Sequence, residues 1–277
     1  MILRLAGDLA RGALVAFLVA TPSLILPTVP SETAQIVAFV AVFGAALTAL
    51  EYGSSYPCIF EFRDAAPFNR TRFLSLLLTV ALLSLIARDM TDPSSLTAFV
   101  SSIGHVVGSA LDFTWSPIRL TGLMLPLDAS SDLVLHVRAA AGITVMVLLI
   151  SVSLFVSELH RGSWPDRSGN FNVWINLPTF DPTRGGDVVN RLDRDGRINI
   201  GLGILLPFLL PVLVGSSDTI FGRISLDQPQ AMVWAIAIWG FLPYSLIMRG
   251  LALQRVAAMI LRRRSEITGQ PGELAVA

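Results

Sequence analysis

Residues 139–157 read Ala-Ala-Ala-Gly-Ile-Thr-Val-Met-Val-Leu-Leu-Ile-Ser-Val-Ser-Leu-Phe-Val-Ser, held between Arg138 and Glu158. An uncharged run of this length is what a helix needs to cross ~30 Å of hydrocarbon. Further charge-free runs occupy 12–31, 33–50, 73–87, 198–217 and 228–248, of which 73–87 is short. Hydrophobic residues make up 53% of the chain and charged residues only 14%. A soluble domain carries about 25% charge, so composition and runs together specify a membrane protein. In lipid every backbone polar group must be satisfied within the segment, so uninterrupted runs of this length read as helices. The fold class is an all-α integral membrane protein of six spans, at about 12–29, 33–51, 73–88, 137–158, 198–215 and 229–249.

The charges flanking these runs orient the chain. Every one of the 20 basic residues is an arginine. Numbering the gaps alternately puts only Arg88, Arg119, Arg138 and Arg223 on one side. The other side holds Arg4 and Arg11, Arg63 to Arg72, Arg161 to Arg197, and Arg249 to Arg264. The positive-inside rule therefore expects both termini in the cytoplasm. Arginine without lysine, beside abundant Ala, Leu and Val, points to a GC-rich bacterial genome and hence to the bacterial inner membrane. Arg4 and Arg11 ahead of an apolar run resemble a signal peptide. The run continues to Val29 without a cleavage-site pattern, so a retained anchor is expected.

The segment 93–111 carries no formal charge, yet a seventh span there would invert everything downstream. Its serines, glycines and His105 also make it a poor span. It reads as an amphipathic helix on the outer membrane surface, capped by Asp92 with Pro93 at its first position and Trp115 at the interface. Its apolar face would be Leu96, Phe99, Val100, Ile103, Val106, Val107 and Leu111. Arg72 and Arg88, bounding the short third run, should snorkel toward opposite headgroup layers. Two long gaps, 52–72 and 159–197, form a cytoplasmic cap in which only Val188–Leu192 looks helical. Past Arg249 the last helix continues as an amphipathic tail with an apolar stripe at Leu253, Val256, Met259 and Ile260. Its Arg262, Arg263 and Arg264 are candidate contacts to anionic inner-leaflet headgroups. Residues 1–266 form a single polytopic domain, and 267–277 read as a disordered tail.

The two cap gaps hold the densest polar features. Glu51, Tyr56, Arg63, Asp64, Arg70, Glu158, Trp174, Asp181 and Arg184 are the candidate interaction or substrate surface, interleaved with Phe60, Phe62, Phe68, Phe171 and Phe180. Aromatics at this density must bury against each other, the interface or a partner. Structural ion pairs among Arg63, Asp64, Arg70, Asp181 and Arg184 account for the pattern as well as a site does.

Other chemistries find little support. A bis-histidine haem needs two imidazoles at one depth on facing spans. Only His105 and His136 share a depth, and His105 is not expected on a span. No His-x-x-x-His or Glu-x-x-His spacing marks a metal site. There is no Gly-x-Ser-x-Gly and no phosphate-cradling glycine loop. With Cys58 the sole cysteine, an intrachain disulfide is impossible. Neither a cofactor nor a nucleic-acid partner is expected. Prolines 207, 211 and 243 could free backbone carbonyls for a substrate, but no ionisable residue lies at mid-membrane to drive a coupled carrier.

The expectation is a non-catalytic accessory, assembly or scaffold subunit that contacts another membrane protein or a second copy of itself. A small permease or lipid translocator is the alternative. A lipid-active enzyme working through Glu51 and Glu158 at the cytoplasmic face is the third.

Overall fold

Each of the long apolar runs becomes one helix, because an unbroken backbone ladder is the only way to bury its amides in lipid. The computed structural model describes residues 2–126, 128–161, 164–165, 171–181, 183, 185–216, 226 and 228–268. In chain order the helices are α1 (Ile2–Ile25), α2 (Ser31–Gly53), α3 (Phe68–Asp89), α4 (Ser95–Ala110), α5 (Pro117–Leu120, running into a 3₁₀ turn), α6 (Ser131–Arg161), α7 (Val173–Asn176), α8 (Val188–Ser216) and α9 (Pro229–Thr268). Six of them, α1, α2, α3, α6, α8 and α9, are long and apolar enough to cross a membrane. The chain is thus a multi-pass helical membrane protein, with no strand among the described residues.

Several boundaries differ from the sequence reading. The fifth span does not begin at 198 after a loop: α8 starts at Val188 and runs unbroken through both of its prolines. Asp187 starts it, its carboxylate accepting from the Asn190 N–H at 3.3 Å. The third span begins at Phe68 rather than after Arg72. The cap of α4 is Ser94, not Asp92. Its hydroxyl accepts from the Thr97 N–H, and the Thr97 hydroxyl accepts from the Ser94 N–H at 2.7 Å, a reciprocal capping box.

Glycine seams set which helices are neighbours. A Cβ on Gly142 of α6 would lie 2.5 Å from the Gly108 nitrogen and 2.9 Å from the Gly104 carbonyl oxygen. The Gly104-x-x-x-Gly108 face of α4 therefore lies backbone to backbone on α6, as small-residue seams in membranes do. Thr97, Val100 and Ser101 are buried with it, whereas Leu96, Phe99 and Val106 point away from the bundle. At the end of this seam Asp112 bridges Arg119 at 2.6 Å and Arg138 at 3.0 Å. A second seam joins α8 to α9. A Cβ on Gly203 would meet the Pro243 carbonyl at 2.7 Å, and one on Gly250 the Gly196 carbonyl at 2.6 Å.

Two cores result, one toward each end of the bundle. Leu26, Val80, Leu83, Val100, Leu133, Val137 and Met232 belong to the first. The second gathers Phe62, Phe68, Phe155, Trp164, Leu177, Leu192 and Val256. The second core unites both long gaps with the tail of α9. Leu253 and Val256 are fully buried there, with Met259 and Ile260 packed against it. The expected membrane-facing stripe of the tail is therefore turned into the cap.

Candidate functional site

The cap is assembled around a few buried polar groups. Glu51 ends α2, and its Oε1 accepts the backbone N–H groups of Cys58 and Ile59, each at 2.5 Å, and of Phe60 at 3.2 Å. A carboxylate surrounded in this way acts as the hub of a turn. Arg63 closes the same turn by donating to the carbonyls of Glu51 at 3.1 Å and Ser54 at 2.7 Å, two of the acceptors left over at the α2 terminus. Asn176, from the second gap, accepts the Asp64 N–H through its side chain at 3.0 Å and the Phe62 N–H through its carbonyl at 2.6 Å. Phe62 is held in the left-handed region at φ 53°. Its ring lies 4.5 Å from that of Phe68 and 5.6 Å from that of Trp164, centroid to centroid. The Trp164 indole N–H donates to the Ala65 carbonyl at 3.1 Å.

Glu61 ties this cap to α9. It receives Arg249 through both oxygens, at 2.6 and 2.8 Å, and the Thr179 hydroxyl at 2.7 Å. The sequence reading did not single out Glu61 because its partner lies far along the chain. Asp187 similarly meets Arg264 at 2.7 Å. That guanidinium, helped by the Asn190 and Val189 N–H groups, holds the Asp187 carboxyl below the usual carboxylate range.

Of the residues expected to form one surface, direct contacts join Glu51, Arg63 and Asp64. Arg63 is buried, while Tyr56 is 85% exposed. Asp64 is exposed beside Arg63, their closest atoms 3.6 Å apart. Asp181 forms a local turn, accepting the Thr183 N–H at 2.9 Å and the Thr183 hydroxyl at 2.6 Å. Glu158 is half-buried late in α6. Arg70 is exposed, and no hydrogen bond or ion pair joins it to another described residue, contrary to the expected cap ion pair. Arg184, the Trp174 side chain and 269–277 lie outside the described residues. Arg262 and Arg263 are exposed, whereas Arg264 is engaged by Asp187.

Two further expectations meet a definite geometry. The imidazoles of His105 and His136 approach to 5.9 Å between centroids in an edge-to-face pair. His136 is additionally anchored through Nδ1 to the Asp132 carbonyl at 2.8 Å. No group of three or more metal-ligating side chains occurs among the described residues. The prolines of α8 do not present an open carbonyl at Pro207. Pro211 has no N–H to give the Pro207 carbonyl, and the Trp239 indole N–H of α9 donates to it instead at 3.0 Å.

One cavity lies where the first gap meets α1 and the ends of α2 and α3, near α9. It encloses about 360 Å³ and is walled by Leu14, Val15, Leu18, Phe73, Leu76 and Phe241. Arg11, Arg70 and Arg72 line it together with Tyr52 and Asn69, and it has no acidic lining residue. Arg11 contacts Asp8 at 3.2 Å and lies 4.7 Å over the Tyr52 ring. Arg72 does not snorkel outward as expected. It turns inward, donating to the Ser245 hydroxyl at 3.1 Å between Phe68 and Phe241. Its Nε is buried without a hydrogen-bond partner among the described residues. A second cavity, of about 710 Å³, opens between α1, α2 and α9 near the opposite ends, beside Val19, Leu26 and Trp234.

Comparison with protein-family models, with curated proteins and with solved structures returns no match, so the reading rests on these residues alone.

Proposed function

We propose that the chain is a non-catalytic accessory or scaffold subunit of the bacterial inner membrane, with its termini in the cytoplasm, which holds another membrane protein along α2. The observation that carries this is the use made of the cap's charged groups. The Glu51 carboxylate is taken up by N–H donors, Glu61 by Arg249, and Arg63 by helix-end carbonyls. Groups committed in this way hold a shape and are poorly placed to bind and turn over a substrate. A lipid-active enzyme working through Glu51 is disfavoured by the same contacts.

The partner-facing surface is read from α2. Only 11% of its span is buried within the chain, the smallest share of the six. Phe39 and Phe43 stack on its outer side, 6.5 Å apart, flanked by exposed Ile36 and Leu47. Such a face meets lipid or a partner helix equally well on apolarity, and van der Waals packing selects between them. The test is gentle solubilisation of native membranes followed by affinity isolation of the full chain. A stoichiometric membrane-protein partner supports the reading, and a lone monomer sinks it.

A lipid translocator is the second reading, favoured by one observation. Two cavities line α1 in succession, the arginine-lined one reaching Leu18 and the one of about 710 Å³ starting at Val19. Reconstituted vesicles with a fluorescent lipid in one leaflet separate the readings. Accelerated flip-flop supports translocation, and an unchanged rate excludes it.

A further inference from the structure

We propose that the arginine-lined cavity between α1, α2, α3 and α9 is a binding site for one anionic diacyl phospholipid. The phosphate would sit among Arg11, Arg70 and Arg72, with acyl chain along the α1–α3 seam. The inference goes beyond the scaffold reading and does not depend on it.

The first argument is charge. Three guanidinium groups line the space and no carboxylate does. Of the three, Arg11 is already paired, with Asp8 at 3.2 Å, and Glu61 of the first gap is engaged by Arg249. Cations against apolar walls are costly unless an anion accompanies them. Arg70 has no described partner at all, and the Nε of Arg72 is buried without one. Guanidinium forks match phosphate oxygens and can bind them bidentately.

The second argument is shape and depth. Arg11 lies in the first half of α1, Tyr52 in the last turn of α2, and Arg70 and Arg72 in the first turns of α3. Their shared end carries the arginine-rich cap, so this is the headgroup level of the inner leaflet on the positive-inside orientation. The remaining wall is apolar apart from Thr48 and Asn69. Farther along the same α1–α3 seam comes another cavity, of about 560 Å³, lined by Phe17, Thr21, Leu24, Leu74, Leu77 and Leu78. A polar end followed by an apolar furrow suits an amphiphile, whereas a free phosphate would use only the first part.

The test is native mass spectrometry and thermal unfolding of the full chain. It would be purified in a neutral detergent and given dioleoyl phosphatidylglycerol, dioleoyl phosphatidylcholine or inorganic phosphate. One phosphatidylglycerol should be retained and should raise the unfolding temperature, while phosphatidylcholine and phosphate should do neither. Arg70→Gln removes a charge that holds no other described residue, so the fold should persist. It should weaken phosphatidylglycerol retention about tenfold, the scale of one charge-assisted hydrogen bond. Arg11→Gln should act in the same direction. Equal retention of both lipids would overturn the proposal, as would stabilisation by phosphate alone, which would mark a soluble-anion site. Retention unaffected by Arg70→Gln and Arg11→Gln but lost in Arg262→Gln/Arg263→Gln would move the lipid to the tail and overturn it too.

Discussion

Replacing Gly142 by alanine probes the seam that sets the position of α4. The new Cβ would lie 2.5 Å from the Gly108 nitrogen and 2.7 Å from its Cα, with the Gly104 carbonyl at 2.9 Å. Each of these is backbone, so no side chain can swing aside. Bringing the closest contact from 2.5 Å to an ordinary 3.4 Å means separating α4 from α6 by about 0.9 Å. A gap of that size forfeits about a quarter to a half of each dispersion contact along the seam. Overpacking costs ~1–3 kcal/mol, and the helix preference of alanine over glycine returns up to ~1 kcal/mol. The expected net effect is a destabilisation of about 1–2 kcal/mol. Gly201→Ala in α8 is the matched control, since nothing lies within 4 Å of its added Cβ. That variant should be neutral or stabilised by up to ~1 kcal/mol. Unfolding by SDS titration in mixed micelles, followed by circular dichroism, measures both. If Gly142→Ala were as resistant as Gly201→Ala, the backbone-to-backbone seam would be refuted.

Three further outcomes are expected. Glu61→Gln leaves Arg249 half-paired at the cap, and cap stability should fall by about 2 kcal/mol, less than the full cost of breaking a buried pair because Arg249 is partly exposed. Limited proteolysis between 54 and 67 would report this, with partial recovery in Glu61→Gln/Arg249→Met. His105 gives a pH dependence. Burial, then the neighbouring His136, hold its imidazole below the ordinary 6.5. The unfolded chain therefore binds a proton first. Its contribution is complete above pH 6.5 and is lost as pH falls from there to the lowered value. His105→Gln should flatten this part of a thermal-stability profile, and an unchanged acid slope would contradict the assignment. Cys58, exposed and the only cysteine, reports topology without engineering. A membrane-impermeant maleimide should label it in inside-out vesicles and not in intact spheroplasts, and the reverse pattern would invert the orientation.

What could be read from the sequence was what depends on composition along one helix. An uncharged run such as 139–157 cannot satisfy its backbone in lipid any other way, so the six long apolar helices were legible. Helix ends were less so. The helical stretch from Val188, with Asp187 before it, was visible locally; that it runs unbroken into the span, with Gly196 against Gly250, is not a property of a local window. The apolar stripe at Leu253 and Val256 was visible, but which surface it covers was not. Membrane and cap offer such a stripe the same apolarity. At the candidate site the types were seen and the groupings missed. Glu51 and Arg63 looked chemical because charged residues among aromatics do, and they serve instead as hub and clasp of a turn. Arg11 and Arg72 were taken for topology signals, since nothing in the sequence reveals that α1 and α3 bring them to one cavity with Arg70.

A photoreactive amino acid placed at Phe39 of α2, crosslinked in intact native membranes, tests the scaffold reading most directly. A control at Leu154, on the exposed side of α6, reports ordinary lipid contact. A single discrete protein adduct at position 39 and none at 154 is the expected result. Lipid adducts alone at both positions would show that α2 faces only the bilayer, contradicting the assigned partner surface.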